Sequence, residues 1–375
     1  VSNALHLTLL VGPVVPIPVP HEVLDALTSV QVTNKTQGAS AFQLAFQMSN
    51  RSPLETVFLL VGGGLPPVLR LILIVTINGT PEVLIDGVVT NSQLTPGSGQ
   101  TATKLTVTGE DLTRLMDYID STGFPFPAMP AEARVALILA KYAVFGMIPL
   151  IVPSVMIDVP IPTERIPRQQ GKDLAYLRKL AKDVGYTFYV EPGPVPGTNI
   201  AYWGPEIRVG VPQPALNVDM DAYTNVDSVN LAFDSENAVL PILMIQNPQT
   251  KLPIPIPLPG FSPFSPPLGL LPPIPKNIEF WKGAAKLTAA QAIMIGMAES
   301  LKRADAATAT GTLDVFRYGR VLKARRLVGL RGVGLAFDGL YFVKSVTHEI
   351  KRGEYKQNFT LVRNGLISTV PAVPA

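Results

Sequence analysis

Apolar and polar residues alternate along most of this chain with the two-residue period of a strand, and only a few stretches shift to the 3.6-residue period of a helix. Val30-Gln-Val-Thr and Phe42-Gln-Leu-Ala-Phe-Gln-Met alternate on either side of the Gly38-Ala-Ser turn, which predicts a β-hairpin. Strands are expected next at Leu71–Ile77, Glu82–Thr90 and Lys104–Thr108, making a small antiparallel sheet or barrel. Glu110–Asp120 then spaces Leu112, Leu115, Met116 and Ile119 as one helical face. Gly123, Pro125, Pro127 and Pro130 mark a domain boundary within Ser121–Pro130.

Beyond that boundary the pattern is mixed. Glu132–Phe145 suits a buried helix, and Asp173–Val184 puts Leu174, Leu177, Leu180, Ala181 and Val184 on one stripe with Gly185 as C-cap. Strands are expected at Tyr186–Val190, Asn199–Trp203 and Glu206–Val209, an α+β insert. The last region opens with a strand at Ser228–Phe233. It continues with a helix at Ala289–Ala304, with Thr288 and Gln291 as a capping box and Ala290, Ile293, Met297 and Leu301 on one face. It closes with strands at Thr312–Phe316, Leu340–Val346 and Lys356–Val362. Between these lies Leu252–Lys276, where Pro253, Pro255, Pro257 and Pro259 alternate with apolar residues. Proline at every second position removes ladder donors and favours polyproline II, so a central strand is excluded. The segment is full of Ile, Leu and Phe, and fits an ordered excursion against a neighbouring subunit better than a recognition motif for an SH3-like partner.

The end of the chain echoes its first third. Ile85–Glu110 (IDGVVTNSQLTPGSGQTATKLTVTGE) and Phe337–Gly365 (FDGLYFVKSVTHEIKRGEYKQNFTLVRNG) each set an apolar residue before Asp-Gly. An alternating strand, a polar turn and a second alternating strand follow in both. The spacing from Asp86 to Gly109 nearly matches that from Asp338 to Arg363. The fold expected is mainly β with an α+β insert: two related antiparallel β-barrel domains and a small mixed middle domain. Residues 1–120 form the first barrel, 121–215 the middle domain, and 216–375 the second barrel with a Pro-rich insertion at about 246–285.

Composition changes the picture in one respect. Apolar residues make up 47% and charged residues 16%, below the usual quarter, so much apolar surface is expected to be covered by other subunits. A net charge of +3 argues against nucleic-acid specificity, and the Lys323-Ala-Arg325-Arg326 cluster reads as a solvated face. No cysteine is present, which removes disulfides, thiol catalysis and Cys-based zinc sites. Val1–Pro20 has no basic segment and is broken by Pro13, Pro16, Pro18 and Pro20, so a signal peptide is not expected. The apolar runs Val57–Val75 and Val135–Met156 are interrupted by Gly62-Gly63-Gly64, Pro66-Pro67, Lys141, Pro149 and Pro153. They read as buried protein segments without stable membrane insertion.

A search for chemistry finds little. His6, His21 and His348 stand in separate contexts without metal-ligand spacing, and His348, at a strand end beside Glu349, fits a surface or interface hydrogen bond. Gly62-Gly63-Gly64 lacks a following Gly-Lys, and Gly332-Val-Gly334 lacks the third glycine of a dinucleotide fingerprint. Asp117 and Asp120, at i and i+3, have the spacing of a paired acid and base and equally that of a solvated helix. The sequons at Asn34, Asn78 and Asn358 carry no weight without a secretion signal. No catalytic, cofactor-binding or metal-binding residue is assigned.

Three segments together resemble one family: Gln169–Val190 (QQGKDLAYLRKLAKDVGYTFYV), Ala215–Glu236 (ALNVDMDAYTNVDSVNLAFDSE) and Gly339–Ser368 (GLYFVKSVTHEIKRGEYKQNFTLVRNGLIS). They are similar to the phage late control D proteins, the baseplate hubs of contractile phage tails, tailocins and extracellular contractile injection systems, and to the hub part of VgrG. The opening, Leu9–Phe46, with Val23-Leu-Asp-Ala-Leu leading into the first strand, looks like the family's start. The resemblance implies a non-enzymatic homotrimer, assembled in the bacterial cytoplasm as a virion or particle component. Its two barrel domains per chain would form a pseudo-sixfold ring that adapts a sixfold tail tube to a threefold spike, with baseplate wedge proteins as further partners. The chain departs from VgrG in ending at Ala375 without an OB-fold or β-helical spike, so a separate spike protein is expected. Two other readings stay open: a cell-wall hydrolase at a tail tip using Asp117, and a glycan- or peptidoglycan-binding module at Glu132–Val190, whose helix–strand order is loosely LysM-like.

Overall fold

The computed structural model describes residues 5–48, 58, 68–97, 102–154, 159–236, 238–246, 252–281 and 289–370. Gly62-Gly63-Gly64, Pro66-Pro67, Met156 and the capping Thr288 lie outside them. The first third contains β1 (His6–Gly12), β2 (Ile17–Pro18), α1 (His21–Asp25), β3 (Leu27–Lys35), β4 (Ala41–Met48), β5 (Arg70–Ile77), β6 (Thr80–Thr95) and β7 (Thr103–Asp111). A mixed unit follows: α2 (Ala131–Ala140), β8 (Met147–Ile151), α3 (Asp173–Lys182), β9 (Thr187–Pro192) and β10 (Asn199–Gly204). The remainder contains β11 (Gln213–Asn217), β12 (Val226–Phe233), β13 (Val239–Gln246), β14 (Pro253–Pro257), β15 (Gly269–Leu271), β16 (Asn277–Trp281) and α4 (Ala289–Arg303). It ends with β17 (Ala307–Asp314), α5 (Val315–Tyr318), β18 (Leu327–Arg331), β19 (Gly339–Lys351), β20 (Glu354–Arg363) and β21 (Leu366–Ser368).

The mainly-β architecture expected from alternation is present, and the strand order shows the duplication directly. One 13-stranded sheet runs β12-β17-β20-β19-β3-β4-β7-β6-β5-β1-β2, with β18 attached to β19 and β11 to β18. Within it β3-β4-β7-β6-β5 and β12-β17-β20-β19-β18 have the same order and are antiparallel throughout. Their bulges coincide as well. The first strand of each set skips a residue between Leu27 and Ser29 or between Val226 and Ser228, and the long strand skips one between Val89 and Asn91 or between Val343 and Ser345. Because a bulge costs ladder bonds and bends the strand, two matched bulges in two matched sheets mark one ancestral unit used twice.

The bulges correct the echo as read from sequence. Matching Thr90 to Lys344 pairs Asp86 with Leu340, two residues away from Asp338. The two Asp-Gly dipeptides are therefore not one shared turn. Gly87 sits inside β6, where a Cβ would lie 2.3 Å from the Glu110 carbonyl oxygen, and Gly339 opens β19 at φ +128°. Turn chemistry and close packing both select glycine, and the sequence does not separate them.

Other expectations shift for local reasons. Glu110–Asp120 is not one α-helix: β7 runs on to Asp111, whose side chain accepts from Thr113 N and caps a 3-10 helix at Leu112–Asp117, leaving Ile119 exposed. Glu206–Val209 forms no strand; Arg208 is pinned there by ion pairs to Glu206 (2.7 Å) and Asp305 (2.5 Å). The apolar run from Val135 breaks into α2, a 3-10 turn at Ala143–Phe145 and β8. Among the described residues no helix is long and apolar enough to cross a membrane.

The proline-rich segment does contain a strand, β14, at the edge of the small sheet β14-β13-β16. Leu258 N donates to Pro241 O, which sets the ladder: Ile254 and Ile256 face β13, and Pro253, Pro255 and Pro257 turn their missing donors outward. Proline at every second position is thus compatible with an edge and with nothing further in, and it leaves that edge without donors for another strand.

One apolar core runs under both repeats, joining Leu44, Leu73 and Val107 to Leu313, Val328 and Leu361. A second core holds the mixed unit, with α3 contributing Leu174, Leu177 and Leu180 and β10 the fully buried Trp203; Leu112, Leu115 and Met116 enter it from the 3-10 helix after β7. The two are clamped by Arg70 on β5. Its Nε and Nη2 donate to both Asp86 oxygens at 2.8 and 2.6 Å, and it also donates to the carbonyls of Val14, Phe145 and Gly197. Asn199 Nδ2 donates to Asp86 Oδ2 at 2.7 Å. Both charges are buried, so removing one strands the other. Arg70→Leu is expected to lower unfolding free energy by about 3–5 kcal/mol in urea titration, and Arg70→Met combined with Asp86→Leu to recover part of that loss.

Candidate assembly interface

The two repeats meet along one antiparallel seam. Ser345–Lys351 of β19 pairs with Ser29–Lys35 of β3, and Thr36 N donates to Lys344 O at 3.0 Å just beyond it. That bond makes Asn34/Val346 and Val32/His348 the hydrogen-bonded pairs, so Thr33 and Thr347 face each other at a non-hydrogen-bonded site, with hydroxyls 3.1 Å apart. His348 lies mid-strand and 1% exposed, in contrast to the strand-end surface position expected for it. The β19–β20 hairpin extends past it to Lys351, and this encloses the ring. Its Nδ1 lies 2.8 Å from Tyr355 Oη and 3.3 Å from Gln357 Nε2, and its Nε2 lies 3.4 Å from Asn34 Nδ2. Burial pushes the imidazole pKa down to about 3, so the ring is neutral in the folded protein.

The basic cluster is a solvated face only in part: the Lys323 and Arg326 side chains are half exposed, and Arg325 is covered. Lys323 pairs with Glu82 of β6 at 2.7 Å, Arg326 reaches Glu191 of β9 at 3.3 Å, and Arg325 lies over the Tyr189 ring at 4.1 Å while donating to Lys35 O. These three side chains tie the second repeat to the first and to the mixed unit. They line a cavity of about 280 Å³ that also borders Asp86, Asp111, Asn199 and His348. Burial raises the Asp111 carboxyl pKa even though Ser40 N and Thr113 donate to it, and burial lowers that of Arg325.

The other candidate residues are scattered. His6 lies exposed on β1 and His21 at the start of α1. Asp117 ends the 3-10 helix, whereas Asp120 is exposed and accepts from Thr122 N and Oγ1, which hold its pKa below the usual carboxylate range. The two carboxylates therefore do not share a helical face. Gly332 and Gly334 form the turn before β19, both with positive φ, and Asn34 is enclosed in the seam. Among the described residues no group of three His, Asp or Glu side chains could hold a metal ion.

Two backbone edges of the large sheet lie within the repeats themselves among the described residues. Beyond its bulge, β6 pairs with β7 on one side, and among the described residues no strand pairs with Asn91–Thr95 on the other. Among the described residues strand β12 pairs with β17 alone. The excursion between β12 and β17 is apolar at its surface: Phe261, Leu270, Leu271 and Ile274 are exposed, Ile274 by 83%. The sequence marked this segment by composition, but the free edges left no trace in it, because a paired and an unpaired strand alternate alike.

No protein-family model and no curated protein matches the chain. Solved structures do match in fold. The chain is similar to the tail protein from Neisseria meningitidis MC58 at 13% identity and TM-score 0.62, covering 97% of this chain and 98% of that one. An E. coli component of the type VI secretion system, itself structurally similar to the T4 bacteriophage tail proteins gp27 and gp5, matches at 12% identity and TM-score 0.54 over 93% of this chain and 77% of that one. The Francisella PdpA–VgrG complex matches at 7% identity and TM-score 0.60, over 99% of this chain and 55% of that one. The fold is therefore that of phage tail and VgrG-like proteins, in agreement with the resemblance read in three sequence segments.

The seam makes stability depend on pH. His348 titrates at about 3 when folded and near 6.5 when unfolded, so unfolding takes up a proton below pH 6.5. Its contribution is complete above pH 6.5 and falls by about 1.4 kcal/mol per pH unit as pH drops toward the folded value. The difference in unfolding free energy between the native chain and His348→Gln should shrink with that slope between pH 6.5 and about 4 in urea titrations.

Proposed function

We propose that this chain is the structural hub of a contractile tail or injection machine, a homotrimer that joins a sixfold tube to a threefold spike. Residues 1–120 and 216–375 supply the two ring-forming units, and 121–215 the mixed unit between them. The observation that carries this reading is the repeated strand order with its matched bulges, a single chain offering two near-equivalent sheet units side by side. Three copies place six such units around an axis, which meets a sixfold partner on the strand face. The difference between repeats, a turn between β3 and β4 against a long excursion between β12 and β17, meets a threefold one. The role needs no active site, and the separated carboxylates Asp117 and Asp120 offer no support for a hydrolase.

Sedimentation velocity of the purified chain should give a species of three times 40.2 kDa, and images of it should show closed rings. A stable monomer at micromolar concentration would remove the basis of this reading.

The excursion, apolar at its surface, is assigned to contacts with a neighbouring copy or with the spike side of the ring. Serine at Phe261, Leu270 and Ile274 together removes exposed apolar surface without touching either core. The expected result is an unchanged far-UV spectrum with dissociation of the trimer, or loss of spike attachment, at concentrations on the order of tenfold higher than for the native chain.

A further inference from the structure

Helix α4 of the excursion lies against the mixed unit at Gly185, just past the end of α3. A Cβ there would stand 2.9 Å from Met294 O and 3.2 Å from Ala298 Cβ, and the residue has φ +72°, so glycine is required twice over. Beside this contact the two bodies do not close on each other. A cavity of about 700 Å³ separates them, lined by Tyr186 and Phe188 of the mixed unit, Phe264 of the excursion, and Met294, Met297 and Leu301 of α4. That volume falls within the roughly 300–1,000 Å³ of small-molecule sites. The opposite side of α4 is fully used, with Ala292 and Gly296 packed on Leu258, whereas Met294, Met297 and Leu301 are only half-buried. The charged side chains at the cavity are unevenly matched. Glu206 is held by Arg208 at 2.7 Å and Glu299 by Lys302 at 3.0 Å. Arg178 and Lys182, exposed one turn apart on α3, are left with no carboxylate partner among the described residues.

We propose that this cavity binds one fatty-acid molecule, its chain among Met294, Leu301, Tyr186 and Phe264 and its carboxylate on Arg178 and Lys182. An apolar lining by itself would accept any apolar chain. Two cations without partners select an anionic head, because a neutral or cationic one leaves them uncompensated. The lining also suits a flexible chain: unbranched methionine side chains re-pack around whatever fills the space between them. Tyr186 offers no free donor to a polar ligand, since its hydroxyl donates to Pro153 O at 3.0 Å and its ring packs edge-on against Trp203. Walls come from both α4 and the mixed unit, which fits a single chain enclosed on two sides rather than a bilayer laid on one face. The cavity is formed within one copy of the chain, so the site is independent of the trimeric reading.

Isothermal titration calorimetry of the full chain with decanoate, below its micelle concentration, should give one equivalent bound per chain. Affinity should rise about fourfold for each methylene added between octanoate and dodecanoate. The head is tested by charge. Arg178→Glu combined with Lys182→Glu changes exposed side chains alone, and should weaken decanoate about tenfold while strengthening decyltrimethylammonium. The cavity is tested by Met294→Glu, which sets a carboxylate in the apolar lining and should abolish uptake with the far-UV spectrum unchanged. Should that variant fail to fold, the charge reversal still decides the question. Serine at Phe261, Leu270 and Ile274, outside the cavity, should leave decanoate binding as it is. No uptake by the native chain overturns the proposal. Uptake lost in the serine variant also overturns it, since the binding surface would then be the exposed excursion. Equal affinity of the native and charge-reversed chains for both surfactants overturns the assignment of Arg178 and Lys182. Binding of an uncharged leucine-rich peptide in place of decanoate overturns the ligand class.

Discussion

The structure depends on one strand serving two neighbours along a single edge. β19 can do this because a bulge at Lys344 bends it between β18 and β3, so the strand holds β18 of its own repeat and then continues directly into the first. Everything in the shared core follows from that continuation. Val30 and Val32 pair with Leu44 and Phe42 in one repeat and with Ile350 and His348 in the other, so neither sheet could be peeled away without opening the core of both. The seam's centre is polar, with His348, Tyr355, Gln357 and Asn34 bonding one another. A buried group of this kind adds little net stability but penalises any register in which its members lose their partners. The seam is thereby held to one alignment.

The mixed unit is held differently, by charge. Arg70 and Asp86 lie on adjacent strands of the first repeat, yet three of the atoms they satisfy, Phe145 O, Gly197 O and Asn199 Nδ2, belong to the mixed unit. On the other side Glu191 receives Arg326 of the second repeat, and Tyr189 carries Arg325 over its ring. Apolar packing supplies the area, and these directional contacts fix where the unit sits, since a dispersed apolar contact tolerates sliding that a bidentate ion pair does not.

Much of the fold was legible in sequence because alternation is a direct record of a sheet with one face in the core. The hairpins around Gly38 and between β19 and β20, the helix at α3 and the α+β insert all follow from period alone. The failures share a cause: residue type reports an environment without reporting which environment. Asp86-Gly87 has the composition of a turn but is a buried anion and a close backbone approach. Arg325 has the composition of a wet surface but is covered against the Tyr189 ring, while its neighbours Lys323 and Arg326 stay half exposed as they reach Glu82 and Glu191. Alternating prolines have the composition of polyproline II but fit a strand whose outward side needs no donor. The free edges of β6 and β12 could not be read at all, since an edge is defined by what lies beside it.

The placement of the one large difference between the repeats is itself an argument about how the molecule is used. Strands β3 and β4 are joined by residues 36–40, and β12 and β17 by an excursion with its own sheet and α4, so the insertion replaces a hairpin turn and leaves the order and bulges of the sheet untouched. An insertion anywhere within β17, β19 or β20 would have shifted a register and turned core residues outward. At the turn it costs the sheet only the entropy of a longer loop, which grows slowly with length. The strand faces of the two repeats therefore stay alike enough to offer repeated, near-equal surfaces, and the turn ends differ completely. On the proposed reading the strand faces present the higher symmetry and the turn ends the lower one, and both are set by where a single duplicated sheet could accept extra chain without losing its alignment.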